Sequence, residues 1–257
     1  MKRSSFPFIV TLLMLFFLYL PIVILVVNSF NESRFGGVWT GFSLKWYHKL
    51  FQDRTIWYAL QNSLIVAVSA SVTSTILGTL AAFSLHRYRT KLQKIHYGLI
   101  YAPLLIPDIL MGICLLLFFI ALNIQLSLFT IFLAHTTFCI SYVTMVVLAK
   151  LHNFDFSLVE AAQDLGASGY TVMKRILLPL LMPGLISAFL LSFTLSIDDY
   201  IITSFVAGPS STTLPLYVYG MIKYGSPPII NALSTLLLVV TFICVSITYR
   251  LTKEDAQ

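Results

Sequence analysis

Three carboxylates stand in stretches with almost nothing else to solvate them. Asp108 occurs in "LIPDIL", and Asp198 and Asp199 stand side by side in "SFTLSIDDYIITSF". A charged side chain at mid-membrane costs about 2.5–3.5 kcal/mol even on the lenient insertion scale. Acids retained at that cost can activate water for hydrolysis, relay protons or hold a cation. An intramembrane aspartyl protease shows a Gly-x-Gly-Asp context, which "LIPDIL" lacks. Ion-coupled secondary transporters are usually built from internal repeats, and none is found. A cation remains. Apart from Arg250 at a boundary, no Lys or Arg lies within the apolar runs, and His135 is their only histidine. The positive partner of these acids is therefore expected to be something that moves. The alternative is structural, with the acids hydrogen-bonded or protonated within the fold.

Spacing separates the adjacent pair. Ser192, Ser196, Asp199 and Thr203 fall at i, i+4, i+7 and i+11, a polar stripe on one helical face. Asp198 is rotated about 100° from it. One acid is expected to face a route and its neighbour to bond to an adjacent helix, and the stripe favours Asp199 for the route. Aromatic rings attract ammonium groups, which adds Trp46 and Tyr200 as candidates. Tyr47, Tyr217, Tyr219 and Tyr224 also lie at or beyond the outer edge, where belt or docking residues belong.

Positioning these residues falls to membrane helices. The 257 residues are 58% hydrophobic and 10% charged, with mean hydropathy +0.89. Soluble domains carry about 25% charged residues, so this chain is read as an integral membrane protein in contact with lipid. The formal charge of +6 belongs to orienting loops rather than nucleic acid. Six apolar runs reach spanning length: Phe6–Val27, Ser63–Leu85, Tyr97–Leu122, Leu126–Ala149, Pro183–Phe205 and Ile229–Leu251. The first is too long for a signal peptide core and is read as a retained helix. With both termini cytoplasmic, 11 of the 16 Lys and Arg fall inside, which supports that orientation. Residues 150–182 are then cytoplasmic, and 28–62 and 206–228 lie outside. Ala70, Ser74, Gly78 and Ala82 form a small-residue face for close helix packing, within this chain or on a partner. Pro103 and Pro107 are expected to break or kink the third span. Cys114, Cys139 and Cys244 argue against a disulfide framework. His135 and Cys139 share a face but lack further ligands, so neither metal nor cofactor is expected.

The cytoplasmic insert carries the most specific pattern. "SLVEAAQDLGASGYTVMKRILLP" reads as helix, glycine turn and helix. Ser157 and Glu160 have capping-box spacing. Leu158, Ala161, Ala162 and Leu165 form an apolar face, Gly166 supplies a left-handed stop, and Pro179 ends the second helix. Such a pair can plug a groove on a cytoplasmic partner.

Glu160-Ala161-Ala162, then Gly166, Ile176 and Leu178-Pro179, resemble the EAA loop of bacterial ATP-binding-cassette (ABC) importer permeases. The resemblance implies that these residues couple to an ATPase. The chain has no phosphate loop of its own, since "RFGGVWTG" lacks the lysine, and so is not expected to be an enzyme. "NSFNESRFG", "WTGFSLKWY", "PDILMGICLLLFF", "SFTLSIDDYIITSFVAGP" and "LPLYVYGMIKYG" together resemble the spermidine/putrescine importer permeases. That resemblance implies an all-α, six-span type I importer fold over residues 1–257 as one permease domain, in a bacterial inner membrane. It further implies a sister permease, two copies of an ATPase and a periplasmic polyamine-binding protein. Asp108, Asp198, Asp199, Tyr200 and Trp46 are then the substrate-binding candidates. Importers of other small solutes share parts of these segments.

Overall fold

The structure, a computed structural model, describes residues 6–34, 38–87, 92–225 and 228–254, with side chains from 8 to 243 within those ranges. Lys2, Arg3, Arg89 and Lys91 lie outside the described residues, as do the side chains of Cys244, Arg250 and Lys253. The described residues are helical and contain no strand, only the isolated bridge Asn31–Phe42. A chain in hydrocarbon must satisfy its backbone internally, and helices do so within one segment. Several outward-facing hydroxyls follow the same rule: Ser69, Thr137 and Thr194 each donate to the carbonyl four residues earlier.

Two compact units emerge, residues 58–217 and residues 1–57 with 218–257. In the second of these, α1 (Phe6–Ser29) packs along α12 (Ile229–Glu254), which also contacts α2 (Lys45–Gln52). α3 (Arg54–Arg87) and α11 (Leu214–Lys223) run from one unit into the other.

Residues 58–217 have two apolar cores. One gathers Val66 of α3, Met111 and Phe119 of α5 (Asp108–Ala121), Ile131 to Cys139 of α6 (Leu128–His152), and Ile202 and Val206 of α10 (Ile201–Val206). The other gathers Ala82 and Leu85 of α3, Val143 to Leu151 of α6, and Leu181 and Ala188 of α9 (Leu178–Asp198). Tyr97 and Ile100 of α4 (Gln93–Leu105) pack against the second. α3 and α6 supply buried residues to both cores, and Leu195 near the end of α9 reaches the first. The small-residue face of α3 is spent on this contact: Ala70, Ser74, Gly78 and Ala82 are all buried within the chain. Ser74 meets Ser192 through their hydroxyls at 2.8 Å.

Several expected boundaries move. Four helices are long and apolar enough to span, or five if α4 and α5 are one bent span, and the apolar part of α12 is shorter among the described residues. The third span breaks at Ile106–Pro107 with a 111° bend, while Pro103 sits within α4 without ending it. The fifth run does not continue to Phe205. It ends as a helix at Asp198, and α10 begins at Ile201. Nor does Pro179 terminate the preceding helix. α8 (Gly169–Val172), a π turn over Met173–Leu177 and α9 form one continuous apolar helix, Gly169–Asp198. A proline ring clashes with the carbonyl four residues back in a regular helix. Here the turn is widened, with Leu178 N–H reaching the Met173 carbonyl five residues back, and the helix passes through.

Candidate functional site

The break in the third span places Asp108 at the head of α5. Ile106 and Pro107 are extended, with ψ of 131° and 138°. Pro107 lacks an N–H but lends its carbonyl to Met111 N–H at 3.1 Å. Asp108 is exposed in the first helical turn, where the open backbone N–H groups favour an anion.

The break in the fifth span is held from the side. Asp199 is extended, and its Oδ1 accepts from Ile202 N–H at 3.3 Å. Its Oδ2 accepts from the N–H and the hydroxyl of Thr203, both at 2.8 Å. The carboxylate thus caps the six-residue helix α10, supplying acceptors for N–H groups left unpaired by the interruption. His135 Nε2 stands 3.3 Å from the same Oδ2 and 3.0 Å from Thr203 Oγ1. Its Nδ1 stands 2.7 Å from Ser196 Oγ. The Thr203 hydroxyl donates to Oδ2, so it accepts from Nε2, whose hydrogen points towards Thr203 and Asp199; Nδ1 and the Ser196 hydroxyl share the other bond. The stripe Ser192–Ser196–Asp199–Thr203 therefore turns inward, against α3 and α6. This differs from the expectation that the stripe points Asp199 at a route: a desolvated carboxylate goes where donors are, and α6 offers one. Asp198 points elsewhere and is exposed, and Tyr200 is half-buried beside it. Cys139 is not drawn to His135; its thiol faces the Ser192 carbonyl at 3.6 Å.

The two breaks share a neighbourhood. α5 packs on α10, and a Cβ on Gly112 would stand 2.5 Å from Phe205 Cδ2. Gly112 and Phe205 each lie five residues beyond the last residue of their break, Pro107 and Tyr200, about 7.5 Å along a helix. Both breaks are thus within about one and a half turns of a single contact.

Trp46 occupies a different setting, in the unit of residues 1–57 and 218–257. It is 5% exposed, its indole N–H donates to the Asn31 carbonyl at 2.8 Å, and the ammoniums of Lys45 and Lys49 stand 5.3 and 5.1 Å from its ring centroid. Asn31 in turn ties Val38 and Thr40. Trp46 is placed as an anchor of this loop.

In the insert, the expected capping box is not made. Asp155 rather than Ser157 caps α7 (Ser157–Asp164): its Oδ1 accepts from Ser157 N–H at 3.0 Å. The Ser157 side chain and backbone hold the Asp155 carboxyl below its usual range. An aspartate two residues ahead of the helix outcompetes the serine because it bonds as a charged acceptor. Glu160 and Ala161 are exposed, and Ala162 is half-buried. Gly166 adopts φ +83°. Gly166 N–H bonds to Gln163 O and Ala167 N–H to Ala162 O, at 2.9 and 3.0 Å, the paired bonds of a Schellman stop. Leu158 and Leu165 are 47% and 90% exposed, so the apolar face of α7 is uncovered by this chain. Ile176 is half-buried, while Leu178 and Pro179 are exposed. A cleft of about 610 Å³ opens beside the insert, between Arg87 of α3 and Phe156, Glu160 and Met173.

Residues 74–253 match the family described as binding-protein-dependent transport system inner membrane component. The chain belongs to this family. It is 43% identical over 241 residues to the spermidine/putrescine transport system permease protein PotC of Escherichia coli (strain K12), covering 94% of this chain and 91% of that one. It is 44% identical over 243 residues to the putrescine transport system permease protein PotI of the same strain, covering 92% and 86%. Among solved structures, a bacterial ABC transporter importing the acidic polysaccharide alginate aligns with TM-score 0.75 at 18% identity, over 97% of this chain and 98% of that one. That likeness is one of fold.

The matched region of this transport-component family contains both helix breaks and the whole insert, and Trp46 precedes it. Sequence reasoning had singled out Asp199 and His135 separately. It grouped Ser196, Asp199 and Thr203 on one face but missed that His135 joins them. The available signal was local: an aspartate followed four residues later by threonine, the spacing of a side-chain cap.

Proposed function

We propose that this chain is the permease subunit of an ATP-driven polyamine importer, carrying spermidine or putrescine across the bacterial inner membrane by alternating access. The observation that carries the reading is the placement of exposed Asp108 and Asp198 at two helix breaks that flank one contact, Gly112 on Phe205. Carboxylates at interrupted helices, where backbone groups and acids line a polar opening, suit an extended polycation. The two relatives above, named for polyamines, support the same cargo. Asp108, Asp198 and Tyr200 form the cation site, Asp199 braces the break beside them, and Trp46 contributes through the outer loop it anchors.

Six spans and one permease domain over 1–257 complete the reading, with both termini cytoplasmic. A sister permease supplies the other half of the pathway, two copies of a cytoplasmic ATPase supply the energy, and a periplasmic polyamine-binding protein delivers cargo to the outer loops. Glu160, Ala161, Ala162, Gly166, Ile176, Leu178 and Pro179 form the coupling element, and the uncovered apolar face of α7 suits a groove on the ATPase. A negative interior favours entry of each charge by about 2.3 kcal/mol per 100 mV, and ATP drives the cycle. Uptake of labelled polyamine is expected to fall in Asp108→Asn and Asp198→Asn with the complex intact, and tagged chain is expected to co-purify with an ATPase. Normal uptake in both variants removes the carboxylate site, and absence of any ATPase removes the importer.

A further inference from the structure

His135 is 1% exposed and is bonded on both sides of the break in the fifth span: to Ser196 within α9, to Asp199 at the interruption and to Thr203 within α10. Among the described residues, the partners of its ring nitrogens come from the fifth span. The Asp199 carboxylate is engaged on both oxygens, with Ile202 N–H on Oδ1 and with Thr203 N–H, Thr203 OH and His135 Nε2 on Oδ2. Its side chain is only 11% exposed. Asp198, one residue earlier, is exposed.

We propose that His135 is a positioning residue for transport: by clasping Ser196, Asp199 and Thr203 across the break, it commits Asp199 to the fold and leaves Asp198 as the acid of the pair that meets the cation. This rests on the polyamine reading above. The physical reason is a competition for one acceptor. A carboxylate oxygen has about two lone-pair sites, and Oδ2 of Asp199 already takes the Thr203 N–H and hydroxyl with His135 Nε2 beside them, while Oδ1 takes Ile202 N–H. An ammonium reaching Asp199 would have to displace the clasp, leaving buried His135 and the α10 N–H groups unpaired, whereas Asp198 offers its oxygens with no such loss. The clasp also fixes the order of the pair. Without His135, the two adjacent acids differ by only one residue's rotation and either can turn outward.

The test is paired-label uptake by the complete complex in cells, with spermidine and putrescine present together. The binding protein's own preference is the same in every variant, so a change in the spermidine-to-putrescine ratio belongs to the permease. A group touching the cargo changes the ratio; a group acting through the fold scales both rates together. Asp198→Asn is expected to change the ratio by roughly threefold or more, as loss of a charged hydrogen bond to the cargo implies. Asp199→Asn and His135→Ala are expected to lower both rates by about tenfold at an unchanged ratio. Their double variant is expected to be no worse than the poorer single, because both remove one unit. His135→Gln, which retains a donor and an acceptor, is expected to restore much of the rate. A ratio change in Asp199→Asn with none in Asp198→Asn overturns the assignment and leaves the polyamine reading standing. Full additivity of His135→Ala with Asp199→Asn overturns the clasp. If His135→Ala complexes do not assemble, the near-isosteric Asp198→Asn and Asp199→Asn decide the matter by themselves. An unchanged ratio and rate in Asp108→Asn, Asp198→Asn and Asp199→Asn alike sinks the cation site and this proposal with it.

Discussion

A Cβ placed on Gly78 would stand 2.6 Å from Val143 Cγ1 and 3.1 Å from the Ile140 carbonyl oxygen. α3 and α6 therefore touch backbone to side chain, and Thr144 closes the seam by donating to the Gly78 carbonyl at 3.2 Å. In lipid, helices gain little from apolar burial against each other, so close packing and interhelical hydrogen bonds hold them.

Gly78→Ala is accordingly expected to lower stability by about 1–3 kcal/mol, the usual cost of overpacking. Adding Val143→Ala is expected to recover part of that loss. Thermal denaturation of the detergent-solubilised complex reads both; a Gly78→Ala protein as stable as the parent contradicts the contact.

Gly166 has no atom within 4 Å of where a Cβ would go, yet its φ is +83°. The position is limited by backbone conformation, not by space. Gly166→Ala is expected to strain the turn by roughly 1–2 kcal/mol and to weaken retention of the ATPase on co-purification. Gly166→Asn, better tolerated in the left-handed region, is expected to retain more ATPase than Gly166→Val. The reverse order argues that bulk, not φ, governs the site.

Pro179→Ala restores a backbone N–H and removes the ring that the π turn accommodates. A regular helix from Gly169 to Asp198 then turns the insert about 100° and shifts it about 1.5 Å relative to α9. The expected result is an assembled complex whose ATP hydrolysis continues while polyamine uptake drops. Retained uptake shows that the wide turn is dispensable for coupling.

Trp46→Phe removes the bond to the Asn31 carbonyl while keeping an aromatic ring. A buried acceptor left unpaired costs about 1–3 kcal/mol. Trp46→Phe and Asn31→Ala are expected to share one phenotype, faster protease cleavage between residues 30 and 45 with the transmembrane part intact. A cleavage rate matching the parent in Trp46→Phe rules out the anchor.

What could be read from the residues alone was what proline and glycine enforce locally. The break at Pro107 and the left-handed stop at Gly166 follow from covalent geometry and needed no partner. Pro179 misled because a π turn can absorb a proline, a choice set by the continuous apolar face that follows it. The cap of α7 went to Asp155 rather than Ser157 because two nearby acceptors competed and the charged one won. The partner of Asp199 lay beyond reach for another reason. His135 is 64 residues away in the chain, and only the packing of α6 on α9 and α10 brings it to the break.

The interruptions of the third and fifth spans fall where one apolar core gives way to the other. α5 and α10 belong to one storey, α4 and most of α9 to the second, and α3 and α6 are the posts common to both. Two storeys on shared posts can tilt against each other without either being repacked, because the floor between them is already cut in two places. The acids stand on that floor. A tilt that widens it on one side narrows it on the other, so the same few residues would serve as the far wall for cargo entering and the near wall for cargo leaving.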